Sequence, residues 1–169
     1  TIKFTGGTGK TADNGSVQTM FQNVEIAKSA GIAVTAGRGL DIDGNFTLTS
    51  GVFTPSTYTH NVAGNWNDSG GSFQATAGTV IFDGASPTIT TAAINYFYHL
   101  TISVSGTASM GSNELDVNGN LAVSAAGATL HCGSGTANDV AGTSSLSGKL
   151  DCGSGTTTLR GAVTVRLAS

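Results

Sequence analysis

Charge is scarce in this chain: 10% of its 169 residues are Asp, Glu, Lys or Arg, and the formal net charge is -3. The seven Lys and Arg are scattered, and the pI is about 5.4, whereas nucleic acid asks for a clustered basic face. No run approaches the roughly 20 apolar residues of a membrane span, so membrane insertion is not expected. No basic-then-apolar leader opens the chain, so export would mean that one has been removed. Aromatics are only 7% and helix formers are few, while Gly numbers 25 and Ser, Thr, Val and Ile abound. That mix favours strands and turns over helices, and its β-branched content and low net charge favour order over disorder.

What the chain has instead is self-similarity. Leu40-Asp41-Ile42-Asp43-Gly44-Asn45-Phe46-Thr47-Leu48 returns as Leu115-Asp116-Val117-Asn118-Gly119-Asn120-Leu121-Ala122-Val123. Apolar residues alternate through each copy at strand period, and Gly-Asn interrupts them where a backbone must turn. Thr1-Ile2-Lys3-Phe4-Thr5-Gly6 returns as Thr79-Val80-Ile81-Phe82-Asp83-Gly84, and Met20 to Ile26 as Tyr96 to Ile102. The offsets are 79 - 1 = 78, 97 - 21 = 76 and 115 - 40 = 75. One domain, 1–169, thus holds a long repeat nearly twice, about 1–78 and 79–169.

A shorter period lies inside it. Gly corners at 44, 64, 84, 119, 142 and 161 give intervals of 64 - 44 = 20, 84 - 64 = 20, 142 - 119 = 23 and 161 - 142 = 19. The remaining interval, 119 - 84 = 35, fits two uneven coils. Short strands and Gly corners at this spacing, without helical patterning, predict an all-β parallel β-solenoid of roughly 8–9 coils, each about 15–23 residues, with uncapped ends. A β-sandwich would not predict near-identical sequence at a fixed period. The expected inward ladder is Ile26, Ile42, Val62, Phe82, Ile102, Val117, Val140 and Leu159. Phe46, Trp66 and Leu121 fill a further position past the corner.

Signals for chemistry are weak. Gly6-Gly7-Thr8-Gly9-Lys10-Thr11 resembles a phosphate-binding loop, but Phe4 stands where its first Gly is needed and no helix follows. Asp41-Ile42-Asp43-Gly44-Asn45 resembles the start of a Ca²⁺ loop without its bidentate Glu, so Asp41, Asp43 and Asp116 are metal candidates only against the expectation of no metal. The carboxylates are spread thinly, with Asp139 and Asp151, or Asp41 and Asp116, as the pairs able to approach. His60, His99 and His131 lack metal or triad spacing. The chain is therefore expected to be no enzyme and to need no cofactor. An aromatic strip for surface glycans is conceivable, but Phe21 and Phe97 are simpler as core, and the Thr-rich stretches lack the strict ladder of ice-binding solenoids.

The two cysteines sit in copied heptads, Leu130 to Thr136 and Leu150 to Thr156, and 152 - 132 = 20 is one coil. Equivalent positions in adjacent coils lie about 5 Å apart, within reach of a disulfide. A Cys132–Cys152 bond would imply an oxidising compartment. The other reading is two free thiols packed inward.

The ends suggest assembly. Thr1, Ile2, Lys3 and Phe4 begin in mid-strand, and Val163, Val165 and Leu167 alternate after a Gly corner. Residues 159–167 align with Ile42 to Leu48 or Val62 to Asp68, so one copy's end is in phase with another's start. Bare edges pair with other chains, which points to a head-to-tail homopolymer or to a piece of a longer repeat protein.

Gly64-Asn65-Trp66-Asn67-Asp68-Ser69-Gly70, Thr79 to Gly84 and Tyr96 to Ile102 resemble the repeats of large bacterial surface and adhesin-like β-solenoid proteins. The resemblance implies export, a structural or adhesive role, and no catalytic residues. The expected function is a structural subunit of an extracellular filament or surface layer. An adhesin, or a carbohydrate-binding or polysaccharide-degrading β-helix, is the alternative.

Overall fold

A computed structural model describes residues 1–13, 19–111, 113–135 and 137–166. Among them there is no helix, and every strand pair is parallel, as β-solenoid coils require. Each coil lays strands on three faces in turn. The first face stacks eight strands: Ile2–Gly6, Val24–Lys28, Phe46–Ser50, Trp66–Asn67, Thr88–Thr90, Thr107–Met110, Thr129–His131 and Lys149–Asp151. The third face stacks eight more, from Thr19–Phe21 through Leu40–Ile42, Thr59–Val62, Thr79–Phe82, His99–Ile102, Leu121–Val123 and Ser144–Leu146 to Val163–Val165. The second face runs between them. It starts with Lys10–Ala12, Ala33–Ala36 and Val52–Thr54, narrows to the single bridges Val52–Ser72, Gln74–Tyr96 and Phe97–Val117, and resumes with Asp116–Val117, Ala137–Val140 and Thr156–Leu159.

The first strand starts at Ile2 and the eighth on its face at Lys149, seven turns later, so the mean turn length is (149 - 2)/7 = 21. Fewer, more even turns replace the expected 8–9. The larger expected number follows from taking all six Gly corners, 44, 64, 84, 119, 142 and 161, as one and the same corner. Those glycines lie at two different corners of the triangle: Gly44, Gly64 and Gly84 between the third and first faces, and Gly119, Gly142 and Gly161 between the second and third.

The inward ladder is likewise three ladders. Ile42, Val62, Phe82 and Ile102 do stack, on the third face, and continue through Val123 and Leu146. Ile26 instead stacks with Phe4 and Leu48 on the first face, and Val117, Val140 and Leu159 stack on the second. Phe46 and Trp66 share the first face with rings 4.0 Å apart and nearly parallel, while Leu121 lies on the third. Phe73, Phe82 and Phe97 close around Trp66, and Phe53 packs on Phe46 and Phe73, all of them buried. Trp66 and Phe97 are thus part of the lumen and not of a surface strip, while Phe21, Tyr96 and Tyr98 are half-buried.

The long repeat has a geometry that sequence alone hides. Ile2–Gly6 lies on the first face, its copy Thr79–Phe82 on the third, and a third copy of the pattern, Thr156–Leu159, on the second. The offset from Phe82 to Leu159 is 159 - 82 = 77, and 77/21 is about three and two-thirds turns. Each copy is therefore turned by a face relative to the last.

Hydrogen bonding follows the rotation. The buried His60 accepts the Leu40 N–H through Nδ1 at 3.2 Å. At its counterpart in the next copy, the buried Asn138 accepts the Leu115 N–H through Oδ1 at 2.9 Å. At the corner from third to first face, Asn23 Oδ1 accepts from Asn45 N, Asn45 Oδ1 from Asn65 N, and Asn65 Oδ1 from Thr88 N, each at 2.8 Å. At the corner from second to third face the second copy repeats this: His99 Nδ1 accepts from Asn120 N and Asn120 Oδ1 from Thr143 N, both at 2.9 Å. Nδ1 of His and Oδ1 of Asn sit equally far along the side chain, so either supplies the acceptor that these backbone N–H groups take, buried at Leu40 and Leu115 and exposed at the corners.

Glycine is required at these corners because coils touch there through backbone. Gly64 N–H donates to Gly44 O at 2.9 Å, and a Cβ on Gly64 would stand 2.4 Å from that oxygen. Gly142 stacks on Gly119 in the same way, with N–H to O of 2.8 Å. Residues 159–167 are expected from the sequence to match Ile42 to Leu48 or Val62 to Asp68, whose first residues lie on the third face. Leu159 instead stacks on Val140, on the second face, at the place related by the repeat to Phe82.

Candidate functional site

The sites that sequence reasoning named fall at three places: the coil edges, the outward acidic rows and the cysteine pair. The edges are built from apolar positions whose neighbours continue inward. Ile2 pairs with Val24 and Phe4 with Ile26 on one side only, and Ile2 remains 43% exposed although it points along the core ladder. Lys3 faces outward and holds Glu25 at 2.6 Å. Thr1 is exposed just before the strand. At the other end Val163 and Val165 pair with Ser144 and Leu146 and are 46% and 60% exposed. Leu167 lies outside the described residues. Among these residues the first and last coils each offer one unpaired side of backbone N–H and C=O groups along all three faces.

Lys28 secures the first coil in a manner the sequence did not announce. Its side chain is buried under the opening loop, and Nζ donates to Thr5 O at 2.5 Å and Thr8 O at 2.9 Å. The Gly-rich stretch is therefore laced to the second coil and continues into strand Lys10–Ala12, without the helix a phosphate loop needs.

The metal candidates do not meet. Asp41 lies on the third face opposite Asn61, Asp43 at the corner beyond it, and Asp116 on the second face. Among the described residues no three His, Cys, Asp or Glu side chains converge as metal ligands would. Asp83 is the neighbour that sequence reasoning missed: partial burial, then Asp41 and Asp43, raise its pKa. Asp116 is raised by burial, then by Asp139 and Glu114. Asp139 is the strand partner of Asp116, and not of Asp151, which sits on the first face with Lys149 at 2.8 Å. Arg160 takes both carboxylate oxygens of Asp139, at 2.8 and 3.1 Å. The pairs expected to approach are thus kept on separate faces, and in the strand pair Asp116–Asp139 the second carboxylate is tied to Arg160.

The histidines serve the backbone. His60 Nε2–H donates to Pro55 O at 2.9 Å while Nδ1 accepts from Leu40, so the ring is neutral, and burial lowers its pKa. His131 Nδ1 accepts from Gly133 N at 3.2 Å. A buried carboxyl, Asp68, is the second group that sequence reasoning missed. It accepts from Trp66 Nε1 at 2.8 Å, Asn95 Nδ2 at 3.1 Å and Ala92 N at 3.1 Å, and burial outweighs these donors to raise its pKa. The Asn-Trp-Asn-Asp spacing puts Trp66 and Asp68 on the same side of one strand, which was the available signal.

Cys132 and Cys152 are joined, with Cα atoms 4.5 Å apart. They fasten the last two coils on the first face, where Cys132 is core and Cys152 half-buried. No helix of the described residues is long and apolar enough to cross a membrane.

No protein-family model, curated protein or solved structure matches this chain.

Proposed function

We propose that the protein is a non-enzymatic structural β-solenoid that assembles head to tail, coil upon coil, as the subunit of an extracellular filament or surface layer. The observation that carries the reading is the pair of open coil edges, where Ile2, Val163 and Val165 are aligned with core ladders yet exposed. A parallel ladder whose inward side is apolar gains both hydrogen bonds and burial from another coil, and such heterologous contacts produce open fibres. The Cys132–Cys152 bond is compatible with an oxidising, extracytoplasmic setting. The dispersal of carboxylates over separate faces supports a role without catalysis.

A second reading is favoured by one observation, the reopening of the long repeat on the second face at Thr156–Leu159. On it, the partner of that edge is a further coil of the same repeat in a longer adhesin-like surface protein.

Negative-stain imaging and light scattering over rising concentration test the first reading. Filaments or concentration-dependent oligomers are expected, and Ile2→Lys or Val165→Lys should abolish them while leaving the melting transition intact. A monomer at millimolar concentration rejects it. An intact mass of the native protein far above 16.8 kDa selects the second reading.

A further inference from the structure

The repeat carries a groove with it. In the first copy a depression of about 430 Å³ opens between Val52–Thr54 with its following corner and residues 72–77 of the next coil. In the second copy a depression of about 330 Å³ opens between residues 133–135 and 152–156. The two are related by the same step of three and two-thirds turns. Ser56, with φ of 58°, corresponds by that step, 133 - 56 = 77, to Gly133, with φ of 69°. Ser56 is the only non-glycine with positive φ among the described residues. A side chain held in that conformation costs about 1 kcal/mol or more, and such strain concentrates at functional corners.

We infer that these paired grooves bind neutral, hydroxyl-rich chains, that is, uncharged polysaccharide. Three features single out that chemistry. First, among the described residues neither groove has a charged residue in its lining. Anionic glycans, phosphates and cations therefore find no counter-ion there. Second, the walls are hydroxyls and one amide, with Thr54, Thr57, Ser72, Gln74 and Thr76 in the first groove and Ser154 and Thr156 in the second. Val52 and Ala77 supply a short apolar floor, matching a sugar ring with one apolar face and a hydroxyl rim.

Third, in the first groove the backbone is already spent. Val52 N bonds Ile32 O, Phe53 N bonds Ser72 O, Ser72 N bonds Gly51 O and Ala75 N bonds Tyr96 O, at 2.9 to 3.3 Å. An extended peptide, which docks through backbone groups, finds no free ladder in the first groove, so side-chain hydroxyls are what that groove presents. The grooves open at different corners of the triangle and about three and two-thirds coils apart, so a long chain would have to wind around the solenoid to fill both. Separate chains can also be cross-linked, giving avidity. The inference goes beyond assembly and stands whether or not the coil edges associate.

Affinity electrophoresis of the intact protein tests it, in native gels containing dextran, hydroxyethylcellulose, galactomannan or mannan, with polygalacturonate as the anionic arm. Retardation by at least one neutral polymer and none by polygalacturonate is expected. Thr57→Trp and Ser154→Trp, both at exposed positions, fill one groove each. Each should weaken retardation several-fold and the double variant should remove it, with circular dichroism and melting unchanged. No retardation in any neutral gel overturns the inference. So does retardation that survives in the folded double variant, or retardation by polygalacturonate alone.

Discussion

At the scale of single residues, the buried polar groups divide into those the repeat has matched with a partner and one it has not. Ser144 Oγ is the single buried side-chain polar atom without a hydrogen bond among the described residues. It occupies the place in the second copy that Trp66 holds in the first, where the indole N–H is satisfied by Asp68. An unsatisfied buried hydroxyl costs about 1–3 kcal/mol, so Ser144→Ala should raise the denaturation midpoint by an amount equivalent to ~1 kcal/mol. Asp68→Asn should do the reverse, because an amide N–H would face the Trp66, Asn95 or Ala92 donors; a loss of about 1–3 kcal/mol is expected in urea titration. His60 sets a pH dependence. Its pKa is lowered on folding, so its contribution is complete above the unfolded value of 6.5 and is lost as pH falls from there through the folded one. Melting temperature should therefore decline on acidification below about 6.5. His60→Asn, which copies the acceptor that Asn138 already provides, should flatten that part of the profile.

At the scale of elements, the coils are held by corner contacts and, at one end, by a covalent link. Gly64→Ala places a methyl 2.4 Å from Gly44 O, against backbone that cannot retreat, so a loss of several kcal/mol is expected, on the scale of an overpacked core. Reducing Cys132–Cys152, whose sequence separation is 20, releases a constraint worth ~3 kcal/mol on the chain-entropy model. Hydrogen exchange should then accelerate first in Thr156–Leu159 and Val163–Val165, with the coils around Trp66 still protected. Strands, Gly corners and the pairing of the cysteines were legible in the sequence because alternation and period are local. The assignment of strands to faces was not. Leu40–Ile42 and Asp116–Val117 read almost identically, yet stand on the third and second faces, because the long repeat is no whole number of turns. Nor were the grooves legible: they arise where the second face thins to single bridges and where corners project, both consequences of how neighbouring coils stack.

At the scale of the whole molecule, a solenoid whose coils share one cross-section should tolerate the loss of a complete turn and reject the loss of a partial one. Deleting residues 24–45 takes out one turn and joins Asn23 to Phe46. Asn23 and Asn45 occupy equivalent places on successive rungs of the corner ladder, Val24 pairs with Phe46, and Thr19 pairs with Leu40. After the deletion Phe4 meets Leu48, and the Thr19 N–H reaches His60 Nδ1 in place of Leu40. The shortened protein should keep its β-sheet circular dichroism and a cooperative melt. Small-angle scattering should show it shorter by ~4.8 Å, one strand spacing. Deleting residues 24–34, half a turn, sends each later strand to the wrong face, so that apolar ladders meet polar rows. That variant should lose the cooperative transition. If both deletions melt alike, the coils do not behave as interchangeable layers, and stacking a second molecule on a bare edge loses its physical basis.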